Sequence, residues 1–451
     1  MTYLASSQET VADRLRPVVT TIFGTEPPVR IRAWDGSTIG PAESEGGPTL
    51  VVRNRRALRR LVWSPNEVGM ARAFVSGDLA VEGDFIGALD QMLHLFDATQ
   101  GMHLNNADRR TILAAALRLG AIGSNPPPPA EEMRPASGML HSIRRDAAAI
   151  GHHYNVGNDF YRLVLGESMT YSCAYWPDLD AEHPATTLEQ AQQNKVELIA
   201  RKLGLEPGMR MLDVGCGWGT MAIHAAREYG VHVIGVTNSH EQAVGAAKRA
   251  AAAGVADLVE IREMDYRDID PAESGHFDAI SSIGMAEHVG TGQWHDYASL
   301  LHRLLKPGGR LLSHQITQPP TVTEKLEGRR QGKPERTFIT AYVFPDGELQ
   351  SVGWISDQLE SVGFEVRDVE SLREHYARTL RAWVTNLEDN WAEAARLTSV
   401  GRARVWRLYM AGSALAFDRN RISIHQVLAV RPDRKGRSHM PPTRASYATV
   451  D

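Results

Sequence analysis

Cysteine is nearly absent from the sequence: Cys173 and Cys216 are the only two among 451 residues. Two thiols make no disulfide framework, and a chain without one fits a reducing compartment, here the cytoplasm. No uninterrupted apolar run reaches the about 18 residues of a membrane-spanning helix. The first residues lack the basic-then-apolar order of a signal peptide. An excess of one charge is missing too. The 49 Lys and Arg against 54 Asp and Glu leave a net charge of −5, which gives no basic surplus for nucleic acid. The remainder is ordinary for a globular chain, 43% hydrophobic and 23% charged, with length for about two or three domains.

What is present is organised around residues 209–220, Met-Arg-Met-Leu-Asp-Val-Gly-Cys-Gly-Trp-Gly-Thr. Met211, Leu212 and Val214 read as a short buried strand. Gly215, Gly217 and Gly219 let the backbone turn sharply and come close to a ligand, because no Cβ intervenes. The helix expected at 219–229 offers free N–H groups at its start. Strand, glycine loop and helix make a nucleotide-type site at the carboxyl end of a parallel strand. The spacing G-x-G-x-G, led by Asp213, differs from the dinucleotide pattern G-x-G-x-x-G. It resembles the first motif of class I S-adenosylmethionine (SAM) methyltransferases.

Taken in order, residues 1–122 read as a separate module. Alternation predicts strands at 29–34 and 49–53, and apolar spacing predicts helices at 65–80 and 84–97. Five arginines fall within residues 53–60. That run is either a solvated helix face or a contact for anionic lipid head groups through Arg55, Arg56, Arg59 and Arg60. Four successive prolines, 126–129, mark a linker, placed at 123–146 with a lead-in helix. From 147 to 431 strands and helices alternate. Strands are expected at 210–214, 231–236, 258–263, 277–282, 309–315, 363–369 and 422–430. Helices are expected at 219–229, 240–253, 294–305 and 351–361. Such alternation builds a mostly parallel sheet covered on both faces. Residues 316–350 are long for a connection and read as a substrate-covering insertion. Residues 432–451, basic and proline-rich, read as a disordered tail.

Several groups could carry chemistry. Thr237 and Gln242 stand after the second strand, where no carboxylate is available for ribose hydroxyls. Asp265, after the third strand, is either an acceptor for an adenine amino group or a helix N-cap. Glu287 and His288 follow the fourth strand, and His314 ends the fifth. Both positions lie at the carboxyl edge, where open α/β sheets bind ligands.

The stretches His153-Tyr154-Asn155, Thr170-Tyr171-Ser172-Cys173, Leu212–Gly219, Ser282-Ile283-Gly284 with Glu287-His288, and His375-Tyr376-Ala377 with Thr379-Leu380 together resemble the cyclopropane fatty acid synthases. That family includes the mycolic acid methyltransferases. The resemblance runs over roughly residues 145–430 and implies a class I methyltransferase fold: a Rossmann-like seven-stranded sheet plus a smaller α+β lipid-binding N-terminal domain. It implies SAM contacts at Tyr171, Ser172, Gly215, Gly217, Thr237 and Gln242, beside Asp213 and Asp265. Some members carry a tryptophan where Met264-Asp265 stands here. It also implies a bicarbonate base caged by Cys173, Glu287, His314, Tyr376 and the backbone of Ile283. Aromatic residues Tyr154, Tyr171, Tyr175, Phe338 and Tyr342 would line a dry substrate pocket. The implied reaction methylates the cis double bond of a phospholipid acyl chain at the inner membrane face. The closest branch makes a 10-methylene chain that a separate reductase saturates. Cyclopropane formation is the alternative, and a non-catalytic lipid-binding protein the remote one. Product and oligomeric state, homo-oligomer included, stay open at this point.

Overall fold

The computed structural model describes residues 9–23, 26–98, 105–133, 157–181, 185–270, 272, 276–322, 336–345 and 347–447. The chain divides into two compact units. One takes residues 1–134, 336–343 and 399–415, and the other takes 135–335, 344–398 and 416–451.

The first unit is built on β1 (Arg30–Arg32), β2 (Thr38–Ile39), β3 (Thr49–Val52) and β4 (Leu79–Glu82), in the order β2-β1-β3-β4. Asp35-Gly36 makes the turn from β1 into β2, with Gly36 at φ 86°. Ala12 and Leu15 of the helix Val11–Phe23 pack with Ile31, Val52, Ala57 and Leu79 in one core.

The arginine run forms the helix Arg55–Trp63, and the Asn54 side chain caps it by accepting from the Arg56 N–H. The expected lipid contact is corrected at Arg60. That residue is 7% exposed, pairs with Asp78 at 2.9 Å and donates to the Pro127 carbonyl at 2.8 Å. Burial works to raise the Asp78 carboxyl, but hydrogen bonds from Arg60, Asn54 and Ser76 outweigh it and hold the group below its ordinary value. A buried carboxylate needs such a cation, so Arg60 is withdrawn from the surface. Arg59 donates to the Ala121 carbonyl at 3.3 Å, whereas Arg55 and Arg56 stay exposed.

Through Pro127 the proline run belongs to this unit, which extends to residue 134 instead of ending at 122. Phe338 and Tyr342 belong to it as well, in contrast to their expected place in a substrate pocket. The Phe338 N–H donates to Glu67 at 3.1 Å, and the Tyr342 hydroxyl donates to Glu132 at 3.1 Å. Glu132 also holds Arg72 at 2.6 Å and Arg336 at 2.7 Å, which gives residues 336–343 their anchor. Residues 323–335 of the expected insertion lie outside the described residues.

The second unit is a seven-stranded sheet of β5 (Arg210–Val214), β6 (His232–Thr237), β7 (Val259–Glu263), β8 (Phe277–Ile283), β9 (Leu305–Thr317), β10 (Glu365–Ser371) and β11 (Ser423–Val430). Their order is β10-β11-β9-β8-β5-β6-β7. β11 runs antiparallel to both its neighbours, and the pairs among β5 to β9 are parallel. Successive residues face opposite ways across a strand. Leu212, Ile234 and Ile280 therefore meet the helices Trp294–Leu304 and Val352–Ser361 on one face. Met211, Val233 and Ala279 meet the helices Leu188–Leu203 and Thr220–Tyr229 on the other. The chain winds outward from β5 to β7 and then returns to β8 on the other side of β5. That reversal opens a crevice at the carboxyl ends of β5 and β8.

The tail departs from expectation. Residues 432–447 have defined places: Asp433 accepts from Arg437 and His439, Arg444 pairs with Asp368 at 2.5 Å, and Tyr447 is 5% exposed. Asp368 is buried and recruits the cation the tail supplies. Among the described residues, no helix is long and apolar enough to cross a membrane.

Removing Arg60 takes from Asp78 its buried cation and leaves it Arg56, Asn54 and Ser76. Arg60→Met is expected to lower stability in urea unfolding by about 2–3 kcal/mol, and Arg55→Ser by no more than about 0.5 kcal/mol. Equal losses would contradict the assignment of Arg60 to the interior.

Candidate active site

The crevice is a solvent-open cleft with about 1100 Å³ of empty space. Tyr171, Ser172, Asp213, Gly215, Gly217, Thr237, Gln242, Asp265 and Ile283 all line it. Five separate segments, distant in sequence, thus meet at the carboxyl ends of β5 to β8.

The glycine loop shows why glycine is required. Gly215 and Gly217 have φ of 76° and 54°, a region that costs other L-residues about 1–2 kcal/mol. A Cβ on Gly215 would come within 2.9 Å of Met285, whereas one on Gly217 would meet nothing within 4 Å. Gly217 faces open space, the place for a ligand to approach backbone. The loop is tied down by Val236, whose carbonyl accepts from the N–H groups of Gly215 at 2.9 Å and Cys216 at 3.0 Å. Arg249 braces it from beneath, donating to the carbonyls of Trp218 and Ser168, each at 2.8 Å.

Polar groups around the cleft are individually held. The Thr237 hydroxyl donates to the Gln242 amide oxygen at 2.9 Å, so the two act as one unit after β6. Asp265 is the N-cap of a short turn and accepts two hydrogen bonds from the Arg267 guanidinium, each at 2.8 Å. It is therefore both a cap and a cleft residue. Asp213 is 2% exposed, accepts from the Ser281 hydroxyl at 2.6 Å, and is pushed up to about 6 by burial.

Behind Ile283 lie the other candidates. Ile283 is the register partner of His314 across β8 and β9. Glu287 reaches the same strand two residues on, and its Oε1 accepts from the Ile316 N–H at 2.8 Å. Its Oε2 is buried with no hydrogen-bond partner among the described residues, and so are Nδ1 and Nε2 of His314. Burial raises Glu287 to about 7 and lowers His314 well below its ordinary value, so the imidazole is neutral. Cys173 and Tyr376 meet at a different atom. The Leu372 carbonyl accepts from the Tyr376 N–H at 3.0 Å and from the Cys173 thiol at 3.7 Å. Burial pushes the Cys173 thiol up, which keeps it protonated and unsuited to nucleophilic attack.

Three buried polar atoms without partners inside an apolar unit are costly unless a polar guest takes them up. One carboxyl oxygen and two imidazole nitrogens suit a small oxyanion carrying one proton, and bicarbonate fits that donor and acceptor set.

Aromatic residues are arranged differently from expectation. Tyr175 stacks on His375 at 4.8 Å and is not among the cleft residues. Tyr154 lies outside the described residues. Tyr161 and Trp383, unmarked in the sequence, join Trp218, Tyr171 and Tyr376 in a run of rings. Trp218 meets Tyr161 at 4.8 Å, Tyr161 meets Tyr171 at 5.9 Å, Tyr171 meets Trp383 at 5.5 Å, and Trp383 meets Tyr376 at 6.0 Å. Lys195 was missed as well. It is 1% exposed, lines the cleft, and donates to the Ser172 hydroxyl at 3.1 Å.

Sheet order, reversal point and glycine loop define a class I methyltransferase fold, and comparison with known proteins narrows it. The family model described as mycolic acid cyclopropane synthetase matches residues 141–427, and the chain belongs to that family. It is 43% identical over 420 residues to a protein of Mycobacterium tuberculosis named probable fatty acid methyltransferase, covering 92% of this chain and 93% of the relative. It is 31% identical over 438 residues to a tuberculostearic acid methyltransferase of the same organism, covering 95% and 92%. A crystal structure of a mycolic acid cyclopropane synthase complexed with SAH and CTAB aligns with a TM-score of 0.57 at 34% identity. That alignment covers 63% of this chain and 97% of the other. The chain is an enzyme of the SAM-dependent methyltransferase class, from a family that modifies lipid acyl chains.

The Glu287 carboxyl gives a pH test of the ligand-free protein. Its pKa is near 7 folded against an ordinary 4.5, so the folded state holds the extra proton. Stability from this group is complete below about 4.5 and is lost as pH rises toward 7. Glu287→Gln removes that loss and should stabilise the protein at pH 8 by on the order of 2–3 kcal/mol, with the gain vanishing at low pH. Denaturation across pH would show it, and a variant less stable than wild type at pH 8 would contradict the burial of an unsatisfied carboxyl.

Proposed function

We propose that the protein methylates the cis double bond of an oleoyl-type phospholipid acyl chain and produces a 10-methylene chain, the precursor of a 10-methyl chain that a separate reductase would make. The observation that carries this reading is the group of partnerless polar atoms, Glu287 Oε2 and both His314 nitrogens, buried at the strand ends beside the glycine cleft. The product assignment is supported by the full-length likeness to proteins named for fatty acid methylation, where the cyclopropane synthase structure matches only 63% of this chain.

When bound, SAM supplies an electrophilic methyl carbon and bicarbonate a proton-accepting oxygen. Methyl addition to an alkene leaves positive charge on the acyl chain. A hydride shift moves that charge to the methylated carbon, and loss of a proton from the new methyl leaves the methylene branch. The residues answer each demand. Gly215 and Gly217 admit the methyl donor at backbone distance, and Tyr171, Ser172, Thr237 and Gln242 orient it. The rings of Tyr171 and Trp383 offer faces toward positive charge. Glu287 and His314 hold the base by sharing its proton and hydrogen bonds, with Tyr376, Cys173 and the backbone of Ile283 completing the enclosure.

Substrate is proposed to reach the first unit as membrane lipid. Trp63, Leu113 and Leu117 are 54%, 48% and 60% exposed there, and Arg55 and Arg56 are exposed too. Apolar groups beside arginines suit an anionic bilayer surface.

The test is mass spectrometry of lipid after incubation with SAM and oleoyl-phospholipid vesicles. A methylene-branched product is expected, formed faster on anionic than on neutral vesicles. Glu287→Gln should cut turnover by about 10²-fold or more, the scale for a positioned proton transfer. A cyclopropane product would overturn the product assignment, and near-native turnover by the variant would overturn the proposed base.

A further inference from the structure

Lys195 lies on the helix Leu188–Leu203, whose inner face carries Gln192, Lys195 and Lys202, all 0–1% exposed. Lys202 is neutralised by Glu370, Asp368 and the Gln426 oxygen. Among the described residues Lys195 has no such salt bridge within 4 Å: its ammonium donates to a neutral group, the Ser172 hydroxyl, at 3.1 Å. One turn earlier, the Gln192 amide donates to the Ser172 carbonyl at 2.9 Å. The helix thus holds the segment that carries both Ser172, in the cleft, and Cys173, in the enclosure behind it.

The charge of Lys195 is felt on both sides. It acts on Asp213 in the cleft floor and on Cys173 and His314 in the enclosure. Other charged or titratable groups acting there are Lys202 and His425 on His314, while Glu287 comes in from the turn after β8. Lys202 is spent on Asp368 and Glu370, Asp213 is itself pushed up to about 6 by burial, and Glu287 to about 7. An anion adds a negative charge that the neutral His314 and the Cys173 thiol cannot balance.

We infer that Lys195 is a positioning residue that supplies the counter-charge for the anion held by Glu287 and His314, and ties that anion to the Ser172 wall of the methyl-donor cleft. The inference rests on the bicarbonate reading above. Buried alone with Asp213, the ammonium is lowered to about 8 by desolvation, so its charge is present at neutral pH and is lost above it. Anion affinity should therefore fall as pH rises through about 8.

The test is the thermal shift of the full chain titrated with bicarbonate at fixed ionic strength, from pH 7 to 9. Wild type should be stabilised by bicarbonate, and less so at pH 9. Lys195→Met should need about tenfold more bicarbonate for half the shift at pH 7, a loss of the size expected for one close charge pair. Its loss of affinity between pH 7 and 9 should be smaller than that of wild type, the remainder coming from ionisation of Glu287. Lys195→Arg, which keeps its charge, should likewise lose less affinity than wild type between pH 7 and 9, and it decides the matter if the Met variant does not fold. If wild type responds to bicarbonate and both variants match its affinity and pH profile, the role of Lys195 is overturned while the ion site stands. If wild type itself gives no shift, both the ion site and this inference fail.

Discussion

A buried carboxyl group with one oxygen bonded and the other without a partner among the described residues is costly to hold, and the same sheet edge buries a second unsatisfied group, the His314 imidazole. Glu287 and His314 can sit there only because the sheet fixes them. The Ile316 N–H fastens Glu287 to β9, and the backbone of β9 carries His314 opposite Ile283. The unsatisfied atoms define a small guest with matching protons and lone pairs. Rings from Trp218 through Tyr161, Tyr171 and Trp383 to Tyr376 pack in series and join the glycine loop to the helix Arg373–Asp389.

Most of this unit was legible in the sequence. Strands buried on both faces read as short continuous apolar runs, and the expected 210–214 is β5 as observed. The helices expected at 240–253 and 351–361 stand at His240–Ala252 and Val352–Ser361, where the Ser239 and Ser351 side chains each accept from an N–H within the first turn. The cleft residues were legible in part. Gly215, Thr237 and Asp265 sit at strand ends, which converge in a parallel sheet, whereas Tyr171 and Ser172 follow no strand and were indicated only by the family resemblance.

What was not legible depends on partners far along the chain. Arg60 reads as one more charge in a run, and its burial depends on Asp78. Phe338 and Tyr342 read as a loop over the site, and their anchoring depends on Glu67 and Glu132 in the first unit. Lys195 did leave a signal that was passed over. It recurs with Gln192, Ile199 and Lys202 at a spacing of three or four, on the face that also buries Leu188 and Val196. A lysine in phase with apolar residues on a helix is a buried lysine, and a buried lysine needs a reason.

On the proposed reading the methyl-donor cleft depends on Gly217 and the adjoining anion enclosure on Glu287, although Ile283 and Lys195 border both. Calorimetric titration of S-adenosylhomocysteine into wild type, Gly217→Val and Glu287→Gln tests it directly. A branched side chain at Gly217 points into open cleft. Gly217→Val is therefore expected to lose affinity by about tenfold or more while the fold persists, and Glu287→Gln to stay within about threefold of wild type. Unchanged affinity in the glycine variant, or equal losses in both, would contradict the division of the site into two.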